Sequence, residues 1–191
     1  MALINVDRRE IQAKIVYYGP ALSGKTTNLR YIHDHVPASS RGELLSVETN
    51  GERTLFFDFL PLNVGTIKGF SIRLHLYTVP GQVIYERTRI AVLTGADGVV
   101  FVADARRERL AENLHSLREL AELLTNQGKQ FLDFPLVLQY NKMDVPEALP
   151  VESLDRYLNA LNAPHFESIA TQGEQVLPTL SAASRLVVGR L

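Results

Sequence analysis

The chain has 191 residues, no cysteine and a formal net charge of −1, which suits one α/β domain over residues 1–191 and points to neither nucleic acid nor a membrane surface. Without cysteine, disulfides, thiolate metal sites and prenylation are excluded, and Ala2 excludes N-myristoylation. No apolar run approaches the roughly 20 residues of a membrane span and no signal peptide opens the chain, so a soluble, cytoplasmic protein without a membrane anchor is expected.

Apolar runs alternate with helical patterns along the chain, the signature of βαβ units and a largely parallel sheet. Residues 13–18 read as a first strand ending at Gly19, and residues 26–36 as a helix. Residues 53–60 and 70–77 read as two strands whose short connection, Pro61 to Gly65, predicts an antiparallel hairpin. Residues 98–103 form a buried strand. Residues 107–126 carry Leu110, Leu114, Leu117, Leu120 and Leu124 on one helical stripe. A strand at 136–140, a short helix at 152–161, a strand at 166–170 and a helix at 175–191 follow. The last helix turns Val176, Leu180, Ala183 and Val187 inward. The expected fold is a mostly parallel six-stranded sheet with one antiparallel hairpin, flanked by helices.

Gly19-Pro20-Ala21-Leu22-Ser23-Gly24-Lys25-Thr26 matches the phosphate-loop pattern between a strand and a helix. Its backbone N–H groups, with those of Thr27 and the helix N-terminus, suit phosphate oxygens. Lys25 would reach the β- and γ-phosphates, and the Thr26 hydroxyl would bind Mg²⁺. Asn141-Lys142-Met143-Asp144 follows a later strand. The Asp144 carboxylate can accept from the N1–H and 2-amino group of guanine. Adenine offers neither donor, and a site built this way rejects such an analogue by about 10⁴ or more. Asn141 would contact the base and brace the phosphate loop, while the Lys142 stem covers base or sugar. Ser168-Ile169-Ala170-Thr171 can supply a backbone N–H to the guanine O6.

Between these motifs, Thr78-Val79-Pro80-Gly81-Gln82 ends a strand where phosphate-loop enzymes sense the γ-phosphate. Gly81 permits close backbone approach, and Gln82 can orient an attacking water. A hydroxyl at Thr54 can join Mg²⁺. Arg53 reads either as a solvated strand-entry arginine or as an internal arginine finger. Asp58 reads either as orienting water on Mg²⁺ or, the favoured reading, as paired with Arg73. Residues 106–109 read as a solvated helix start. His33, His35 and His75 carry no metal-ligand pattern. Phe56, Phe57, Phe59, Val83, Ile84 and Tyr85 divide between core and a partner-binding face.

The runs Lys14–Pro20, Gly24–Leu29, Glu52–Pro61 and His75–Gln82, with Asn141-Lys142-x-Asp144, resemble the bacterial MglA family of Ras-like GTPases, which set cell polarity and gliding motility. The resemblance covers nearly the whole chain. It implies a GTP/GDP- and Mg²⁺-dependent molecular switch with Arg53 as intrinsic arginine, Thr54 as switch threonine and Gln82 as catalytic glutamine. It also implies MglB, a roadblock-fold homodimer, as activating partner, state-specific effectors, and a shift of the second strand on GTP binding. Thr78 stands where most Ras-like proteins have Asp. Met143 stands at the motif's variable position, where MglA tends to have Arg. Ala21 occupies a position that is Gly in the family, and its methyl near the γ-phosphate predicts slow hydrolysis. A GTP-binding scaffold with little or no hydrolysis is the alternative. An ATP-using phosphate-loop enzyme is a third reading, without an Arg-rich lid to support it.

Overall fold

A computed structural model describes residues 2–47, 57–82 and 85–190. The elements run β1 (Leu3–Asn5), β2 (Glu10–Tyr18), α1 (Lys25–His35), β3 (Leu45–Val47), β4 (Phe57–Ile67), β5 (Phe70–Thr78), α2 (Glu86–Leu93), β6 (Gly98–Asp104), α3 (Leu110–Asn126), β7 (Leu136–Asn141), α4 (Val151–Leu158), β8 (His165–Ser168) and α5 (Val176–Val188). The sheet order is β3-β4-β5-β2-β6-β7-β8, with β1 paired to β2. Pairing is parallel from β5 through β8 and antiparallel at β1–β2, β3–β4 and β4–β5. This is the expected α/β sheet of mostly parallel strands, enlarged by β1 and β3. Those two are three residues each, too short to carry a readable alternation.

Residues 98–104 are buried throughout, as a central parallel strand covered on both faces must be. Its side chains divide between two cores. Val100 and Val102 join Leu29 and Ile32 of α1 and Leu180, Ala183 and Val187 of α5. Val99, Phe101 and Ala103 face the other way, with Leu93 of α2, Leu120 and Leu124 of α3, and Leu154 of α4. The helix α2 has no clean apolar stripe in Glu-Arg-Thr-Arg-Ile-Ala-Val-Leu, so periodicity gives no sign of it.

The hairpin turns later than its sequence suggests. Pro61 lies inside β4, opposite His75, and the reversal falls at Lys68-Gly69. Both residues have positive φ, 50° and 82°, the requirement of a two-residue turn matching strand twist. Pro61 is tolerated because β3 pairs only with residues 57–59 of β4, and beyond it the edge receives Gly42, whose N–H donates to the Pro61 carbonyl at 2.9 Å.

The parallel register aligns the strand ends. Asp104 lies opposite Asn141, and Asn141 opposite Ser168, while Tyr18 pairs with Phe101. The loops after β2, β6, β7 and β8 therefore open on one edge, the place where open α/β sheets bind ligands.

Candidate nucleotide-binding site

The loop from Gly19 to Gly24 runs from β2 into α1. Gly24 sits at φ 108° before the first helical residue, Lys25. A Cβ there would lie 2.1 Å from the Asn141 Nδ2, so glycine is required by both backbone and neighbour. The helix starts with no side-chain cap and no acidic residue in its first turn. Its N–H groups and partial positive charge are thus left for an anion. Lys25 is buried, and its ammonium donates to the carbonyls of Gly19 (2.9 Å) and Pro20 (2.6 Å). Burial pushes its pKa down to about 7; an anion beside it would favour the ammonium form again. The buried Ser23 hydroxyl finds no protein partner among the described residues.

Asn141 joins three loops. Its Nδ2 donates to the Ser23 carbonyl at 2.7 Å, and its Oδ1 accepts from the Ala170 N–H at 2.9 Å. Lys142, at φ 70°, reaches back so that its Nζ donates to the Leu22 carbonyl (2.8 Å) and to Asp104 (2.7 Å). The Ser168 hydroxyl donates to the Glu174 carbonyl at 3.0 Å, which closes the loop carrying Ala170 and the exposed Thr171. Asp144 is exposed, and no protein donor among the described residues engages its carboxylate. The structure thus gathers residues 19–27, 141–144 and 168–171 at one edge.

Asp104 is not marked by any sequence motif. It is fully buried and accepts from Lys142 and from the Arg106 Nε (3.0 Å) and Nη2 (2.8 Å). Burial alone would raise its pKa; the hydrogen bonds from Arg106 and Lys142 outweigh it and hold the carboxyl below its ordinary 3.8. Residues 106–109 are therefore not simply a solvated helix start. Arg106 pairs with Asp104, and Arg109 donates to the Ala21 carbonyl at 2.9 Å.

The pairing of Asp58 with Arg73 is overturned. Asp58 lies opposite Ser46, on the buried face of β4, and accepts from the hydroxyls of Thr26 (2.6 Å), Thr78 (2.8 Å) and Ser46 (2.7 Å). Arg73 lies on the outward face of β5, 3.8 Å from Glu10. The alternation along β4 and β5 puts the two on opposite sides of the sheet. Thr26 and Asp58 together offer hydroxyl and carboxylate oxygens beside the phosphate loop. That hard-oxygen set, with few protein ligands, fits Mg²⁺, which keeps several waters and takes the rest of its shell from phosphate. No group of three or more His, Cys, Asp or Glu side chains able to hold a metal occurs among the described residues.

Gly81 lies against the phosphate loop; a Cβ on it would be 2.2 Å from the Ala21 nitrogen. Gln82 is exposed beside it. Arg53, Thr54, Phe56, Val83 and Ile84 lie outside the described residues. Phe57 and Phe59 are half-buried and meet Tyr77 at ring-centroid distances of 5.9 and 4.8 Å.

A strand–phosphate-loop–helix bound through Asn141 to a second loop defines a nucleotide-binding α/β domain of the Ras-like type. The model of the ADP-ribosylation factor family matches residues 43–183. The Mutual gliding-motility protein MglA of Myxococcus xanthus is 50% identical over 191 residues, covering 100% of this chain and 98% of that protein. The Ypt/Rab-type GTPase Rab7 of Neurospora crassa is 26% identical over 93% of the chain and 83% of its own length. Human ADP-ribosylation factor-like protein 4C is 32% identical over 52% of the chain and 48% of its own length. The chain belongs to the ADP-ribosylation factor family and, within it, is an MglA-like, Ras-like GTPase.

Proposed function

We propose that residues 1–191 form one G domain acting as a guanine-nucleotide switch in bacterial polarity or motility, with Mg²⁺ as its metal. The observation that carries this reading is the double hydrogen bond of Asn141 to Ser23 and Ala170. It supports the reading by tying the proposed phosphate-binding and base-reading loops to one side chain. In this reading Gly19 to Thr27 bind the phosphates, Lys25 neutralises their charge, and Asp144 reads guanine. Thr26 and Thr54 hold the metal, with Asp58 beside Thr26. Gln82 positions the attacking water, and Arg53 supplies positive charge to the transferring phosphoryl group. Bound Mg²⁺ neutralises phosphate charge.

Hydrolysis is slow in this reading, because Ala21 adds a methyl where Gly81 approaches the loop backbone. The same observation favours a second reading, a GTP-binding scaffold with little turnover. An activating partner of the roadblock fold, like MglB, and effectors that distinguish GDP from GTP complete the switch. No helix among the described residues is long and apolar enough to cross a membrane; the site of action in this reading is the cytoplasm. Phosphate release from GTP with and without a roadblock-type homodimer tests the proposal. Stimulated release supports the switch; no release in either condition leaves the scaffold.

A further inference from the structure

We infer that Arg89 is a positioning residue for GTP hydrolysis, holding the loop that carries Gln82 by its backbone carbonyls. The inference rests on the reading of Gln82 as the residue that orients water. Arg89 lies on α2 with its side chain 3% exposed. Its Nη1 donates to the Pro80 carbonyl at 3.4 Å and to the Gln82 carbonyl, on the two sides of Gly81. Its Nε and Nη2 donate to one carboxylate oxygen of Glu119 on α3, the Nε at 3.1 Å. The other Glu119 oxygen accepts from the Tyr18 hydroxyl at 2.7 Å. Tyr18 is the last residue of β2, immediately before the phosphate loop. Three side chains thus connect the root of the phosphate loop to the loop that bears Gln82.

Besides Arg89, the Gln82 carbonyl accepts from the Tyr85 backbone N–H at 3.1 Å. Among the described residues, neither the Gly81 nor the Gln82 backbone N–H donates to the protein, and Pro80 has none to give. A cavity of about 320 Å³ opens beside it, lined by Gly81, Gln82, Arg89, Arg109, His115 and Glu119 among others. The loop therefore has room to shift if its clamp is removed. Contact between Gly81 and the backbone of Pro20 and Ala21 makes its distance from the phosphate loop critical. A misplacement near 1 Å costs about 10²-fold in rate. A buried, charged fork suits such a clamp, because it reaches two carbonyls and a carboxylate at once. Its directional hydrogen bonds are not reproduced by an ammonium.

The test is single-turnover GTP hydrolysis together with GTP affinity for the natural protein, Arg89→Ala, Arg89→Lys, Gln82→Ala and the Arg89→Ala/Gln82→Ala double variant. Arg89→Ala is expected to slow hydrolysis by about 10- to 100-fold with GTP affinity within about threefold. Arg89→Lys recovers only part of the rate. In the Gln82→Ala background, Arg89→Ala adds nothing, because it acts through Gln82. Hydrolysis at the natural rate in Arg89→Ala overturns the proposal, as does an equal further loss in the Gln82→Ala background. If Arg89→Ala does not fold, Glu119→Gln carries the test: a slowed rate at retained affinity supports it, an unchanged rate overturns it. Natural-rate hydrolysis by Gln82→Ala would instead overturn the reading of Gln82, an outcome distinct from an inert Arg89.

Discussion

The Thr78 hydroxyl donates to the Asp58 carboxylate at 2.8 Å, and that carboxylate also accepts from Thr26 at 2.6 Å. Thr78 stands at the strand end where most Ras-like proteins carry an aspartate. Here the carboxylate comes from the neighbouring strand, and Thr78 orients it. Asp58 places a negative charge beside the phosphate-loop hydroxyl of Thr26.

Asp58→Asn is therefore expected to raise the Mg²⁺ concentration required for slow GDP release by about 10- to 100-fold. It also disturbs three hydroxyl donors, at a cost of about 1–3 kcal/mol of stability. GDP dissociation followed across a Mg²⁺ titration checks this. An unchanged titration midpoint removes Asp58 from the metal's surroundings.

Asn141→Ala removes the acceptor of the buried Ala170 N–H and the donor to the Ser23 carbonyl. Each buried group left unpaired costs about 1–3 kcal/mol. Both the melting temperature and the GDP residence time should fall. Loss of stability with unchanged GDP dissociation would mean that the brace does not reach the nucleotide.

The pH dependence of stability isolates Asp104. Its carboxyl pKa is held below the ordinary 3.8, so the folded form binds fewer protons than the unfolded form in acid. Its contribution is present above about pH 4 and is lost as the pH falls through the folded value. Asp104→Asn should lower stability near neutral pH by about 1–3 kcal/mol and narrow the gap to the natural protein below about pH 3.5. Denaturant unfolding across pH measures this. A gap independent of pH would show that the pairs with Arg106 and Lys142 contribute nothing.

The phosphate loop and Asn141-Lys142-x-Asp144 are legible because fixed residue types at fixed positions follow strands whose apolar runs are unmistakable. The clamps between them are not. Asp104 to Lys142 spans β6 and β7, and Arg89 to Glu119 spans α2 and α3; a single sequence carries no signal for such pairs. Asp58 misleads for a related reason. Charge alone selects Arg73 as its partner, whereas strand alternation puts Asp58 on the buried side with three hydroxyls and leaves Arg73 outside. The late hairpin turn is hidden because Pro61 looks like a strand end, and an edge position is what permits it within β4.

Ala21→Gly removes the methyl from the loop that Gly81 touches. Single-turnover GTP hydrolysis should rise by about tenfold or more, on the scale of rate lost to an ångström of misplacement. Equal rates for the two proteins would mean that the surrounding loop already accommodates the methyl.

The central claim is that one edge of the sheet binds a guanine nucleotide through Asp144 and the phosphate loop together. Displacement of a fluorescent GDP analogue by GTP, GDP and ATP tests it most directly. GTP and GDP should displace the probe at similar concentrations, with ATP weaker by about 10⁴-fold, and Asp144→Ala should remove most of that discrimination. Displacement by ATP in the same concentration range as GTP would contradict it.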